Sequence, residues 1–578
     1  MTIRANIKLA TGILGLFILI NTFLLATVEI HGHDTVLPFH NRKGGFFPLH
    51  VRNLEQMAAP RLFLRGQGRR EDGRASSSPH TTSIKSSKPL LDCRPHGGPI
   101  SPKVVADMVY WSEPTLQDRD FVSPYRSNET LFLTVELDSG GFNNVRLVME
   151  TSLVFAMVTG RTLVIPPRRG INHLALSPNL THQRYFTIDD VFDLPKIAGL
   201  YPKALKYMPF KQFMKEHFLG GRVRDSEGKP IFPPENRTNW ESLSWWSGKY
   251  HFDKWLRESG MTSPRWGAEY CLLALPKDCG ESNVDRFLQW AQQVRTVPFP
   301  SRRLSFLNHP IPVNAEPRDR LEELLATRET LCVYDAYHQS STYFHLQDEE
   351  KYRSRLMAHW YDYLFFEDYR TDLWAKRFVR DNLRYSDSLQ CAAARVVERL
   401  GDSFHAMHIR RTDFASAFRS YNLTLASDTV FEFAKEIVPQ GGTLYIATDE
   451  QDSSYFDDFR KRFNVSFLGD VEDLLIDINP LFHGLVEQLV AARAETFIGC
   501  YMSTFSAYIN RLRGYHSQKK KSPGGWELGV INSWYYAPLD KRKVYRKYHP
   551  IDEHLFAEEY PIAWRDIDYN VPRKATRQ

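Results

Sequence analysis

The sequence predicts an α/β protein whose body has two strand–helix halves, one toward each end, with parallel sheets and a cleft between them. Three observations predict it. Leu131 to Ile165 reads as strand, glycine turn, helix and strand, which is one βαβ unit. From Cys391 onward, short apolar runs alternate with helical patterns, as expected of a parallel sheet covered on both faces. The 578 residues suffice for about two to three domains, and 42% hydrophobic content supplies cores of that size.

Before the body comes a charge-free run, Leu9 to Val28, preceded by Arg4 and Lys8 and followed by Glu29. About 20 apolar residues can cross a bilayer as a helix, and the flanking positive charges place the short N-terminus in the cytosol. A cleaved signal peptide has a shorter apolar core and a small-residue cleavage site. This run is longer and ends in Ala26-Thr27-Val28-Glu29, so an uncleaved type II anchor is expected. Five N-x-S/T sequons, at Asn128, Asn179, Asn236, Asn422 and Asn464, agree with a luminal body in the Golgi or endoplasmic reticulum. Between anchor and body, Gly66 to Pro89 is rich in Gly, Arg, Ser, Lys and Pro. Such a stretch cannot bury enough surface to offset its ordering entropy, so it reads as a disordered stem.

Order is expected from about Val104. Leu131 to Leu137 forms the first strand, Asp138-Ser139-Gly140-Gly141 the turn, and Asn143 onward a helix with Val145, Val148, Met149, Ser152, Leu153, Ala156 and Met157 on one face. Gly160 caps that helix and Thr162 to Ile165 is the second strand. Asn172 to about Phe378 has no clear periodicity. Trp240, Trp245, Trp246, Trp255 and Trp266 cluster there, either as core packing or as a stacking surface for a sugar or acceptor peptide. The second half then runs as helix Cys391–Leu400, strand Phe404–Ile409, helix Asp428–Ile437 with Ser427 or Asp428 as N-cap, and strand Thr443–Ala447. It continues with helix Ser453–Phe463, strand Val465–Leu468, helix Leu481–Ala494, strand Thr496–Gly499 and helix Ser503–Leu512.

Charge and cysteine usage exclude some classes. A net charge of +6 is small for this length and argues against a nucleic-acid binder, which needs a concentrated basic face. The six cysteines contain no CxxC pair, so a zinc site is not indicated. Cys271 and Cys279 are near enough in sequence to close a small loop, but spacing does not establish a pairing.

Four stretches at strand ends carry candidate chemistry: Gly140-Gly141-Phe142-Asn143-Asn144, His408-Ile409-Arg410-Arg411-Thr412-Asp413-Phe414, Thr448-Asp449-Glu450 and Ser503-Thr504-Phe505. Arginine presents a planar fork that grips phosphate oxygens, and a helix start offers free N–H groups and a favourable dipole for anions. Each stretch also has a plain structural reading: a turn, an Arg–Asp413 ion pair, a helix cap, an N-cap. Three of the four fall in one regular α/β half, and together they fit a nucleotide diphosphate. No Walker A, GxGxxG or DxD-type metal motif follows a strand, so cationic side chains are expected to neutralise the diphosphate.

In this order the motifs resemble the GDP-fucose protein O-fucosyltransferase family and, more loosely, the α-1,6-fucosyltransferases of the same superfamily. The resemblance is carried by Gly140 to Arg146, Thr159 to Pro167, Phe186 to Asp193, His408 to Phe414, Tyr445 to Glu450 and Phe497 to Ser506. It implies a GT-B-like fold of two Rossmann-like domains facing a cleft, here preceded by the transmembrane helix and stem. It also implies an inverting transferase that uses GDP-fucose and no metal. By the family pattern Arg410 is the catalytic residue, helping the leaving group depart. Gly141, Phe142, Asn143, His408, Asp449, Glu487, Ser503, Thr504 and Phe505 complete the GDP-sugar set, with Arg411 and Asp413 in support. Glu487 stands where the family usually has aspartate. Gly140 stands where one branch carries a glutamate base, with Asp138 the nearest carboxylate.

The expected organisation is a cytoplasmic tail (1–8), an anchor (9–28), a stem (29–103), an N-terminal Rossmann-like acceptor domain (104–385), a C-terminal GDP-sugar-binding domain (386–535) and a tail packed on the body (536–578). The expected reaction moves fucose from GDP-fucose to a Ser/Thr hydroxyl of a protein. The same scaffold with a glycan acceptor or another GDP-sugar, and a catalytically inactive GDP-sugar-binding or scaffold protein, are the other readings. The expected partners are the GDP-sugar donor, a protein or glycan acceptor and the membrane, with no nucleic acid.

Overall fold

The computed structural model describes residues 90–99, 101–127, 129–135, 141–170, 185–224, 227–230, 271–278, 280–295, 316–325, 330–346, 364–412, 414, 425–501, 503–519, 532–536 and 567. The apolar run Leu9–Val28, the stem segment Gly66–Pro89, the tryptophan cluster, and Asp138, Gly140 and Asp413 lie outside the described residues. Among the described residues no helix is long and apolar enough to cross a membrane. The described part belongs to one compact unit, Ser86–Gln578.

The first strand, β1, is Phe132–Val135, and all four of its residues are buried. Helix α1, Phe142–Thr159, follows and ends at Gly160, whose φ of 72° is the left-handed conformation glycine adopts without strain. Strand β2, Thr162–Val164, returns parallel to β1, which completes the expected βαβ unit. The first sheet is finished by β3, Tyr207–Met208, beside β2. Next in the chain, β4 (Cys271–Leu275) and β5 (Thr330–Val333) pair in parallel. Strand β6 (Tyr343–Leu346) runs back to the far side of β1, and β7 (Leu364–Phe366) joins β4. The aromatic-rich middle of the chain therefore contributes a second, three-stranded parallel sheet.

Helix α1 departs from its expected single apolar face, because all eighteen of its residues are buried. Its polar members are satisfied in the core. Arg146 Nη1 meets Glu150 Oε1 at 2.8 Å, and Arg511 Nη1 meets Glu150 Oε2 at 2.8 Å. The Arg146 guanidinium also lies 3.6 Å from the centre of the Tyr508 ring. Buried charges persist when paired and hydrogen-bonded in this way.

The second half follows its expected alternation closely. Helix α2 is Tyr369–Asn382 and α3 is Asp387–Leu400, one turn longer at its start than expected. Strand β8 (His405–Ile409) leads to α4 (Ser427–Ile437), β9 (Thr443–Thr448), a short helix Asp457–Arg462 and β10 (Asn464–Phe467). Helix α5 (His483–Arg493), β11 (Thr496–Cys500), α6 (Thr504–Lys519) and β12 (Ser533–Tyr536) complete it. The five strands are all parallel in the order β10-β9-β8-β11-β12. Helix α4 corrects the expected cap. Its N-cap is Ala426, which has no side chain to offer, while the Ser427 hydroxyl donates to the Tyr455 carbonyl.

The second sheet is covered on both faces. Ala406, Tyr445, Ala447 and Phe497 face a large core shared with α3, α5 and α6, whereas Met407, Ile409, Ile446 and Ile498 face α4 and Phe459. The larger core also contains Val145, Leu153 and Leu163 of the first half. The two halves therefore share one hydrophobic core around α1.

Residues just ahead of position 103 pack on the body. Leu91 and Cys93 are buried, Cys93 is bonded to Cys391 of α3, and helix Pro102–Met108 is capped by the Ser101 hydroxyl. Arg395 of α3 adds hydrogen bonds to the His96 and Leu474 carbonyls. Cys332 is also disulfide-bonded, and Cys500 is buried with its thiol 3.8 Å from the Tyr501 carbonyl.

Candidate active site

Parallel strands end on a common edge, so the loops after β8, β9 and β11 emerge together. Strand β8 lies between β9 and β11, and the chain leaves it in one direction toward β9 and in the other toward β11. This is the switch point at which open α/β sheets bind ligands.

The loop after β8 is built by the residues after β9. Asp449 accepts the Arg411 N–H on Oδ1 at 2.8 Å and the Thr412 N–H on Oδ2 at 3.1 Å, and it also takes the Thr412 hydroxyl. The Arg411 guanidinium pairs with Glu450 and stacks over Tyr455, 4.2 Å from its ring centre. Asp449 and Arg411 thus hold the loop. Arg410 points elsewhere: its guanidinium lies 4.3 Å from the centre of the Phe414 ring, a cation–π distance. It is half-buried, between core and solvent.

His408, at the end of β8, is buried. Its Nδ1 lies 2.8 Å from the Ser506 hydroxyl, and its ring centre is 4.5 Å from that of Phe505. Ser506 also accepts the Cys500 N–H at 2.8 Å, tying β11 to α6. This close approach needs Gly499, since a Cβ there would sit 2.9 Å from the Ser506 Cβ. At the start of α6, Ser503 is 1% exposed and its hydroxyl has no hydrogen-bond partner among the described residues. Buried hydroxyls are normally paired, so this one is open to a group that would complete it. Thr504 and Phe505 are half-buried beside it.

On the α1 side, a Cβ at Gly141 would meet nothing within 4 Å. Phe142 turns its ring into the core against Phe186 and Tyr385, so only its backbone N–H is available to a ligand. Asn143 is buried, and its Oδ1 accepts from Gln488 Nε2 at 3.0 Å and Arg146 Nε at 3.4 Å.

Glu487 of α5 is half-buried and accepts the Tyr445 hydroxyl at 3.2 Å. Burial pushes its carboxyl up to about 7, against the opposing pull of that hydrogen bond. Among the described residues no group of three or more His, Cys, Asp or Glu could hold a metal ion.

The structure therefore brings His408, Arg410, Ser503, Thr504 and Phe505 to one edge of the second sheet. It assigns Asp449 and Arg411 to shaping the loop. Sequence reasoning missed Gln488, Ser506, Phe414 and Tyr445. Phe414, Tyr445 and Ser506 lie inside the quoted motifs, but Gln488 and Tyr445 show their roles only through partners distant in the chain.

No curated protein matches the chain. Solved structures that it resembles include POFUT1 in complex with GDP (14% identity, 68% of this chain and 97% of that chain, TM-score 0.30). They also include an Arabidopsis thaliana FUT1 mutant in complex with GDP (10% identity, 77% and 78%, TM-score 0.33). The fucosyltransferase NodZ from Bradyrhizobium is a third (15% identity, 66% and 94%, TM-score 0.27). Residues 132–516 match the family described as GDP-fucose protein O-fucosyltransferase. This match spans more than half of the chain, includes β1 through α6 and takes in every strand end of the site: the chain belongs to the GDP-fucose protein O-fucosyltransferase family and is a glycosyltransferase.

Proposed function

We propose that this chain moves fucose from GDP-fucose to a Ser/Thr hydroxyl of a protein, inverting the anomeric centre and using no metal. We place the reaction in the lumen of the secretory pathway, with the chain held by Leu9–Val28 as a type II anchor. The arrangement would be of GT-B type, with the donor on the second half and the acceptor reached from the first. The observation that carries the reading is the placement of Arg410 after β8 and of the orphaned Ser503 hydroxyl after β11, at the same end of adjacent parallel strands.

In this reading the first turn of α6 receives the diphosphate. Its free N–H groups and the Ser503 hydroxyl supply donors, and the helix dipole favours the charge. Arg410 then stabilises the negative charge that grows on the departing GDP as the C1–O bond breaks and the sugar takes on oxocarbenium character. The Phe414 ring holds its guanidinium in place beforehand. Gly141 leaves open space beside α1 for the sugar, and Glu487 accepts N–H groups of the nucleobase. The acceptor oxygen attacks the opposite face and gives its proton to solvent or to a nearby group.

The test is GDP release from GDP-fucose by the purified chain, with and without EDTA. Release that is insensitive to EDTA and lost in Arg410→Ala supports the reading. Release abolished by EDTA overturns its metal-free part, and binding of GDP-fucose without turnover on any protein acceptor overturns the reaction.

A further inference from the structure

We propose that Gln488 is a positioning residue of the donor site, fixing the first turn of α1 and the first turn of α6 to each other. This rests on the reading that α6 holds the diphosphate. The Gln488 side chain is fully buried on α5. Its Nε2 donates to Asn143 Oδ1 at 3.0 Å and to the Phe505 carbonyl at 3.2 Å, and its Oε1 accepts the Tyr385 hydroxyl at 2.8 Å. One amide thus joins α1, α6 and the segment ahead of α3.

The orientation is set by chemistry. A carbonyl only accepts, so the nitrogen faces Phe505, and a flipped amide would set oxygen against oxygen there. Phe505 is held on its other side as well, its ring against His408 and, one turn before Gln488, close to Gly484, where a Cβ would lie 3.6 Å from it. Ser503 is two residues away on the same turn. A site that binds phosphate through a helix start needs that turn placed within a fraction of an ångström, because the donors are rigid and short-ranged. Gln488 supplies that placement without touching the donor.

The experiment compares two substitutions at the same hub in the full-length chain. Gln488→Met keeps the volume and removes all three hydrogen bonds. It is expected to weaken GDP binding by calorimetry about tenfold or more, and to raise the KM for GDP-fucose more than it lowers kcat. Tyr385→Phe removes only the bond on the far side of the amide. It is expected to lower the unfolding midpoint while leaving GDP affinity within about twofold. GDP affinity unchanged in Gln488→Met, or lost equally in Tyr385→Phe, overturns the role. Should Gln488→Met fail to fold, Gln488→Asn, which withdraws the amide by one methylene, is expected to show the same loss of affinity, and unchanged affinity there overturns the role equally. A wild-type chain without GDP affinity would overturn the donor reading itself.

Discussion

Asp449 Oδ1 accepts the Arg411 N–H at 2.8 Å, so the end of β9 holds the loop that leaves β8. The carboxylate has both oxygens engaged there and acts on the donor through the loop. Asp449→Asn swaps one acceptor for a donor that faces another N–H, an arrangement that costs about 1–3 kcal/mol. Turnover of GDP-fucose is expected to fall about 10- to 100-fold in this variant, with GDP affinity falling less. Steady-state kinetics beside calorimetry check this.

Arg410 has a different signature. Its charge matters most where negative charge develops on the leaving group, so Arg410→Ala is expected to lower kcat about 10²- to 10³-fold. Arg410→Lys keeps the charge but loses the planar fork, and recovers only part of the rate. Stopped assays of GDP release measure both. Thermal unfolding should barely change, because the guanidinium is half-buried rather than part of the core.

Glu487 makes the site sensitive to pH. Its carboxyl is raised from 4.5 to about 7 by burial, so the empty protein keeps the proton on the acid side of neutrality. Its contribution to stability is full below 4.5 and is lost as pH rises through about 7. A carboxylate that accepts two nucleobase N–H groups must be ionised, so in the proposed role of Glu487 GDP binding would release that proton. Affinity is expected to rise from pH 5.5 toward pH 7, approaching about tenfold per unit at the acid end, and then to level off. Glu487→Gln should bind more weakly and show a shallower profile, keeping only the part that comes from ionisation of the terminal phosphate of GDP. Calorimetry in buffers of different ionisation enthalpy counts the proton.

The luminal placement has its own test at Asn464. This sequon residue opens the edge strand β10, exposed, with Ser466 on the same face of the pleat and Val465 turned toward the core. Expression in a secretory host should give a chain whose mobility increases on glycosidase treatment, and Asn464→Gln should remove one step of that shift. A chain with no glycan at any of its sequons would contradict the luminal reading.

The second half was legible because its strands are short apolar runs separated by strong turn and cap signals, and every pairing but that of β8 with β11 joins strands consecutive in the chain. Its expected elements shifted by only a few residues, as between Phe404 and His405 at the start of β8. The first βαβ unit was legible for the same reason. The pairing of β1 with β6 was not, since Phe132 meets Tyr343 across more than two hundred residues and neither strand announces its partner. The strands of the middle sheet are three to five residues long and lack alternation, because both faces are covered. The full burial of α1 was hidden by Arg146 and Glu150, which read as surface residues until Arg511 supplies their third member.

At the site, the motifs located Arg410, His408 and Ser503 by type and spacing. They could not separate residues that meet a ligand from those that shape its surroundings. Asp449 shows the difference, since its roles as donor contact or loop anchor depend on the backbone of Arg411 and Thr412. The bond between Asn143 and Gln488 spans 345 residues and leaves no local trace.

The Cys93–Cys391 disulfide joins positions 298 residues apart in sequence. A pull on the chain ahead of Cys93 therefore passes by a covalent route into α3 and on to the second sheet. The intervening polypeptide is left out of the path of force. Tension there would enter the shared core through α3 without first drawing on the chain between the two cysteines.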